Sequence, residues 1–272
     1  MVYLSSFLLS EEHVKNPNIY PYNVFHDKYI TPFVFSNITI FYGNNGSGKS
    51  TLLNIIAQKI GAKGFSTYTY GKDYMNRFLG GCRFGLGEDD YGNALKIPNE
   101  CHYIKSEDIL YEIKKIQQED ALERGYIYEM AHHRGMKKEE AKDALYNKKG
   151  GYSQMEIIKF AQEKYSNGET AMQILFDELL PDALYLLDEP EVSLSPQNQV
   201  KLAEEINKYA RFLNCQFIIA THSPFLLGTL HGKIYNLDDK EMGETTWTNL
   251  ENIRYFYEFF QMHKREFLQT TP

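Results

Sequence analysis

Residues 43–51 read GNNGSGKST, which satisfies the pattern GxxxxGK[ST] between an apolar run, NITIFYG, and a helically spaced stretch, KSTLLNIIAQKIG. Gly43, Gly46 and Gly48 let the backbone turn so that N–H groups point inward at phosphate oxygens, with Asn44, Asn45 and Ser47 at the variable positions. The helix that follows adds the positive end of its dipole. Lys49 supplies a point charge for β- and γ-phosphates. Ser50, with Thr51 after it, offers a hydroxyl to Mg²⁺. The chemistry implied is the binding of a nucleoside triphosphate with its metal.

Three further stretches could complete that chemistry. LYLL leads into Asp188, Glu189 and Pro190, and ligands of open parallel sheets sit beyond the carboxyl ends of strands. Asp188 is placed for the Mg²⁺ shell, and Glu189 for polarising an attacking water as a general base. His222, in IIATHSPFLL, follows another apolar run, where an imidazole can sense a γ-phosphate without being the base. SNGE, residues 166–169, is a capping box with Ser166 as N-cap and Glu169 at N3. It opens TAMQILFDELL, which Pro181 stops.

The elements that must position these residues are legible in outline. DALYLLDEP and CQFIIATHSP are continuous apolar runs, as expected of parallel strands covered on both faces. VKLAEEINKYARFL between them reads as a crossover helix. Strands alternating with helices predict an α/β domain with a mainly parallel sheet flanked by helices. Residues 65–99 are Gly- and aromatic-rich and read as loops and short strands. ECHYIKSEDILYEIKK reads as a short strand running into a charged helix, and the residues near 127–147 are polar and helical. The aromatic stretch NIRYFYEFFQMHKREFL predicts a helix packed on the sheet; a docking surface for a partner is the alternative.

Composition narrows the class. A chain of 272 residues with 43% hydrophobic and 24% charged residues suits a globular protein with a real core. No apolar run approaches the ~18 residues needed to span a membrane, and MVYLSSFLLS lacks the basic start of a leader, so it is expected to join the fold. Cys82, Cys101 and Cys215 are few, odd in number and without CxxC spacing, which excludes a disulfide framework and points to the cytoplasm. A net charge of −7 argues against a generally basic surface. Residues 137–149, with Lys137–Lys138 and Lys148–Lys149, are a candidate local patch for DNA. Against that stands a solvated helix in which Glu139 and Glu140 balance the lysines.

Taken together, the phosphate loop, SNGE, LYLLDEP, VSLSPQNQ and THSP occur in an order that resembles the ABC-type branch of P-loop ATPases. DEPEVSLSPQNQ and ATHSPFLL are similar to motifs of small bacterial ATPases labelled AAA family and of RecF-, SMC- and OLD-like proteins. The resemblance implies one ABC-type ATPase domain over residues 1–272, with a helical lobe inserted at approximately 107–180. It implies ATP and Mg²⁺ as ligands and an ATP-dependent homodimer. Ser166 and Gly168 would contact the γ-phosphate held by the opposite protomer, so the capping box and the functional site are one object. Glu169 stands where transporters commonly have Gln. The glutamine that usually links sheet and lobe is replaced by YIKSEDIL, where Ser106 or Glu107 is the candidate. Tyr22, or Tyr20 beside it in IYPYN, is the candidate for stacking on adenine, diluted by a total of 21 tyrosines.

The leading functional expectation is an ATP-hydrolysing switch that acts on DNA or with a defence or repair partner protein. The alternatives are an ATPase subunit of a membrane transporter and a non-hydrolysing nucleotide sensor. Long SMC-type arms are excluded, because about 115 residues between Thr51 and Ser166, advancing ~1.5 Å each when helical, cannot build them.

Overall fold

A computed structural model describes residues 1–16, 18–67, 71–109, 111, 172, 174–176 and 179–269. In chain order the elements begin with β1 (Leu4–Leu8), α1 (Tyr22–Phe25), β2 (Phe33–Val34), β3 (Ile38–Tyr42), α2 (Lys49–Ile60), α3 (Lys72–Gly81), β4 (Arg83–Leu86) and β5 (Cys101–Lys105). They continue with β6 (Leu184–Asp188), α4 (Pro196–Phe212), β7 (Gln216–Thr221), α5 (Pro224–Thr229), β8 (Lys233–Asn236), β9 (Glu244–Thr245), α6 (Glu251–Met262) and α7 (Lys264–Gln269).

The apolar runs form the centre of a six-stranded sheet, ordered β5-β6-β7-β3-β8-β9. Its pairs are parallel except β8 with β9. Every residue of β3, β6 and β7 is buried, the mark of parallel strands covered on both faces. One face, carrying Phe41, Leu186 and Ile218, shares a core with Leu52, Leu53, Ile55 and Ile56 of α2. On α4, Leu202, Ala203, Ile206 and Ala210 are buried at helical spacing. Gly61 stops α2 in a left-handed conformation, φ 74°, with its N–H bonded back to the last turn.

A smaller antiparallel sheet, β2-β1-β4, extends the same core. Phe33 meets Phe41 and Tyr235 edge-on, with ring centroids 5.0 and 5.1 Å apart. Gln216, fully buried at the start of β7, ties β1 to the large sheet. Its Oε1 accepts from the N–H groups of Tyr3 and Leu4 at 2.8 and 2.9 Å, and its Nε2 donates to the carbonyls of Leu4 and Ser36 at 2.8 and 3.1 Å.

Two expectations are corrected. Residues 65–99 contain the helix α3, which buries Met75 and Phe78 one turn apart, not only loops and short strands. The C-terminal helix forms as α6, but Ile253 is its one buried residue. Tyr255, Phe256, Tyr257, Phe259 and Phe260 are exposed, so the aromatic face is not packed on the sheet.

The chain divides into two compact units. One gathers Met1–Lys105, Leu180–Val192 and Gln199–Pro272; the other gathers Ser106–Leu179 and Ser193–Asn198. In the second, the described residues include a helical turn at 106–109 and the buried Ile174, Leu175 and Leu179. Most of the expected lobe at 107–180 lies outside the described residues.

Candidate nucleotide site

Register brings the candidate residues together. Tyr42 of β3 lies opposite Thr221 of β7, and Asp188 of β6 lies opposite Ala220. The segments leaving these three strands therefore start at one level of the sheet. The Glu189 N–H, donating to the Ala220 carbonyl at 2.9 Å, carries the ladder one residue further.

The loop after β3 is a cradle that side chains would fill. Gly46 and Gly48 have φ of 84° and 99°, a left-handed backbone that other residues adopt at a cost. A Cβ at Gly48 would come within 2.6 Å of Val24, and one at Gly43 within 2.3 Å of the Ser47 hydroxyl. Ser47 Oγ is buried and has no hydrogen-bond partner among the described residues, an orphan that a phosphate oxygen would satisfy. Lys49 is 5% exposed. Its Nζ donates to the carbonyls of Gly43 and Asn44 at 2.8 and 3.2 Å and stands 3.4 Å from Glu189 Oε1. Asn45 is exposed and Thr51 half-buried in α2.

Beside the loop, Ser50 Oγ donates to Asp188 Oδ1 at 3.0 Å, and the Tyr103 hydroxyl donates to Oδ2 at 3.0 Å. Burial pushes the Asp188 carboxyl above its ordinary range, against the pull of these two hydroxyls. A hydroxyl and a carboxylate side by side are the hard oxygen donors that Mg²⁺ takes, so Ser50 and Asp188 fit that ion.

Glu189 follows with φ 48°. Its Oε1 is 3.2 Å from His222 Nδ1, so one carboxylate oxygen is shared by an ammonium and an imidazole. The next acidic residue, Glu191, is 5% exposed. Its Oε1 accepts from the Thr221 hydroxyl and from the His222 backbone N–H at 3.3 Å, while Oε2 is buried with no partner among the described residues. Burial pushes this carboxyl up as well.

The structure thus brings together the phosphate loop, Asp188, Glu189 and His222. Tyr22 makes none of these contacts. That ring is 5% exposed, meets Phe78 edge-on at 5.0 Å and donates its hydroxyl to Glu12 at 3.2 Å. Tyr20 packs at the edge of the same core. Ser106 is half-buried and Glu107 exposed, both in the second unit. Ser166, Gly168, Glu169 and residues 137–149 lie outside the described residues.

Four contributors are not singled out by the sequence reading. Tyr103 and Glu191 brace the acidic segment, as described. Asp238 accepts from the Asn44 N–H at 2.9 and 3.1 Å, and Asn252 of α6 donates to the Asn44 side-chain oxygen at 2.6 Å. These last two act across about 200 residues of chain and so escape any local pattern.

A mainly parallel sheet with a GxxxxGK[ST] loop between its central strand and the following helix defines a P-loop ATPase, here of the ABC type. The family model described as "ABC transporter" matches residues 35–192, more than half of the chain, and the chain belongs to that family. A second model, "AAA domain, putative AbiEii toxin, Type IV TA system", matches residues 159–228. Over 60 residues the chain is 42% identical to the lipoprotein-releasing system ATP-binding protein LolD of Pseudoalteromonas translucida (strain TAC 125). That stretch is 22% of this chain and covers 25% of the relative. Among solved structures, a nucleotide-free ATP-binding cassette from an ABC transporter has a TM-score of 0.47 at 15% identity, over 95% of this chain and 96% of that one. The SMC head domain from Thermotoga maritima has a TM-score of 0.42 at 13% identity, over 86% and 94%. Among the described residues no helix is long and apolar enough to cross a membrane.

Proposed function

We propose that the chain is an ATP-hydrolysing switch that dimerises around two ATP–Mg²⁺ sites and works with a partner protein in DNA maintenance or phage defence. The observation that carries the catalytic part is the meeting of Lys49, Glu189 and His222 on one carboxylate oxygen, at 3.4 and 3.2 Å. On this reading Lys49 leaves the loop carbonyls for the β- and γ-phosphate oxygens. Glu189 accepts the proton of a water as its oxygen bonds to the γ-phosphorus and the bond to the β-phosphate oxygen breaks, giving ADP and phosphate. His222 steadies the γ-phosphate and the water. Ser50 and Asp188 would hold Mg²⁺, which neutralises charge on the phosphate oxygens when bound.

Ser166 and Gly168 complete the site of the opposite protomer, with Glu169 closing the capping box. The AAA-domain match over 159–228 supports the defence-side role. The ABC transporter model and the LolD segment support a second reading, the ATPase subunit of a transporter. Purification from native membranes with a membrane-spanning partner would decide for it.

Mixing two dead variants tests the shared site. Lys49→Ala removes the phosphate ligand, and Ser166→Arg puts bulk where the γ-phosphate must approach. Each alone is expected to show almost no turnover. In a mixed dimer both lesions fall in one composite site and the other site is intact. Random mixing makes roughly half the dimers mixed, so about a quarter of wild-type activity returns if the sites are independent. No recovery, with subunit exchange and folding demonstrated, means either that Ser166 serves its own protomer as a helix cap or that both sites must fire together, and ATP-induced dimerisation of the same mixture separates the two. DNA binding by residues 137–149 would require ATP and fall steeply with salt.

A further inference from the structure

Glu191 is a charge-bearing residue enclosed at the end of β7, and its two oxygens are treated unequally. Oε1 accepts the Thr221 hydroxyl and the His222 N–H; Oε2 has no partner among the described residues. Leaving a buried polar atom unsatisfied costs on the order of 1–3 kcal/mol, so a stable fold alone would favour an apolar or fully paired side chain here. The arrangement does confer direction. Oε1 already accepts the His222 N–H and so acts as an acceptor; the Thr221 hydroxyl donates to it and turns a lone pair to the Ser223 N–H, 2.9 Å away. Ser223 in turn caps α5, accepting from Phe225 and Leu226 N–H at 3.2 Å, and donates to Gln199 at 2.6 Å. The turn that carries His222 is thereby pinned on both sides.

The imidazole is constrained by the same logic. His222 Nδ1 lies 3.2 Å from Glu189 Oε1 and 3.8 Å from Glu191 Oε1. Only the Glu189 oxygen is at hydrogen-bond distance, and a nitrogen facing that carboxylate carries the hydrogen, which leaves Nε2 as the ring atom available to substrate.

We propose that Glu191 is a positioning residue for His222: it holds the Thr221–His222 turn so that the ring keeps its Nδ1–H aimed at Glu189. The inference rests on the ATPase reading for its effect on rate. Glu191→Leu keeps much of the volume and removes the oxygen that accepts both the Thr221 hydroxyl and the His222 N–H. Its expected effect is a kcat about 10-fold lower, with KM for ATP within about 2-fold of wild type, the pattern of a lost orienting contact. In a His222→Ala background the same change should cost less than about 2-fold, because its effect passes through the ring. Thr221→Val, which takes one donor from the same oxygen, should give a smaller loss with the same dependence on His222. It serves if Glu191→Leu fails to fold. Nitrogen NMR of labelled histidine in the nucleotide-free protein should show His222 losing its Nδ1–H preference in Glu191→Leu, because the turn no longer aims the ring at Glu189.

An equal loss in both backgrounds, a change confined to KM, or an unaltered tautomer overturns the proposal. Wild-type protein without turnover would instead sink the ATPase reading. The tautomer measurement needs no nucleotide and would still decide the Glu191–His222 contact.

Discussion

Each end of strand β7 meets a buried polar side chain, its own Gln216 at the start and Glu191 from the segment after β6 at the finish, and they are used in opposite ways. At the start, Gln216 makes four hydrogen bonds and binds the small sheet to the large one. At the far end, Glu191 keeps one oxygen unpaired, and Asp188 on the neighbouring strand is a carboxyl pushed up by burial. A fully satisfied network rigidifies; a partly satisfied one costs stability and persists where something else needs it. One strand therefore has a structural end and a chemical end, and substitutions at the two should separate folding from turnover.

The largest expected effect falls at the structural end. Gln216→Leu strips the partners from two buried N–H groups and should cost about 3–5 kcal/mol of unfolding free energy. Turnover per folded molecule should be preserved, as denaturant titration alongside ATPase assay would show. A loss of turnover without a loss of stability would break the contrast.

Glu189→Gln reverses the pattern. It should leave stability and ATP binding near wild type and slow hydrolysis at least ~100-fold, about 2.7 kcal/mol of barrier. Nucleotide-bound protein should accumulate as a dimer on gel filtration with ATP and Mg²⁺. Rapid turnover by this variant would remove Glu189 as the base.

The smallest effect is a gain. The Asp188 carboxyl titrates above its unfolded value, so the folded state binds the proton more readily and stability falls as pH rises through that interval. Asp188→Asn removes the penalty. It should raise stability by up to about 1 kcal/mol at neutral pH, shrinking toward zero at acidic pH where the wild-type group is protonated. Thermal unfolding of metal-free protein at the two pH values would test this. A gain that grows on acidification would contradict the assigned cause.

What the sequence disclosed follows the same division. ITIFY, LYLLD and QFIIAT announce buried parallel strands by continuity alone, and GNNGSGKST announces the turn between a strand and a helix. Asp188, Glu189 and His222 were legible because each directly follows or ends such a run. Glu191 was not: an acidic residue after a proline reads as solvated, and its enclosure comes from Thr221 and His222, some 30 residues on. Helix α3 was obscured because only Met75 and Phe78 mark its buried face and Gly80–Gly81 end it. The packing of Tyr22 against Phe78 was not legible, because ring type and distance from the loop say nothing of burial. The aromatic periodicity of α6 gave the helix, but periodicity cannot name what covers a face.

The backbone at Glu189 has a consequence for what the position records. With φ at 48°, it occupies a conformation that costs a side-chain-bearing residue roughly 1–2 kcal/mol and glycine almost nothing. Selection for foldability alone would draw residue 189 toward Gly, or Asn with its tolerance of that region. A glutamate there is held against the drift by another pressure, and on the proposed reading that pressure is turnover. Descendants of this chain released from hydrolysis, yet still selected to bind nucleotide and stay folded, should lose this side chain early while Gly43, Gly48 and Lys49 remain.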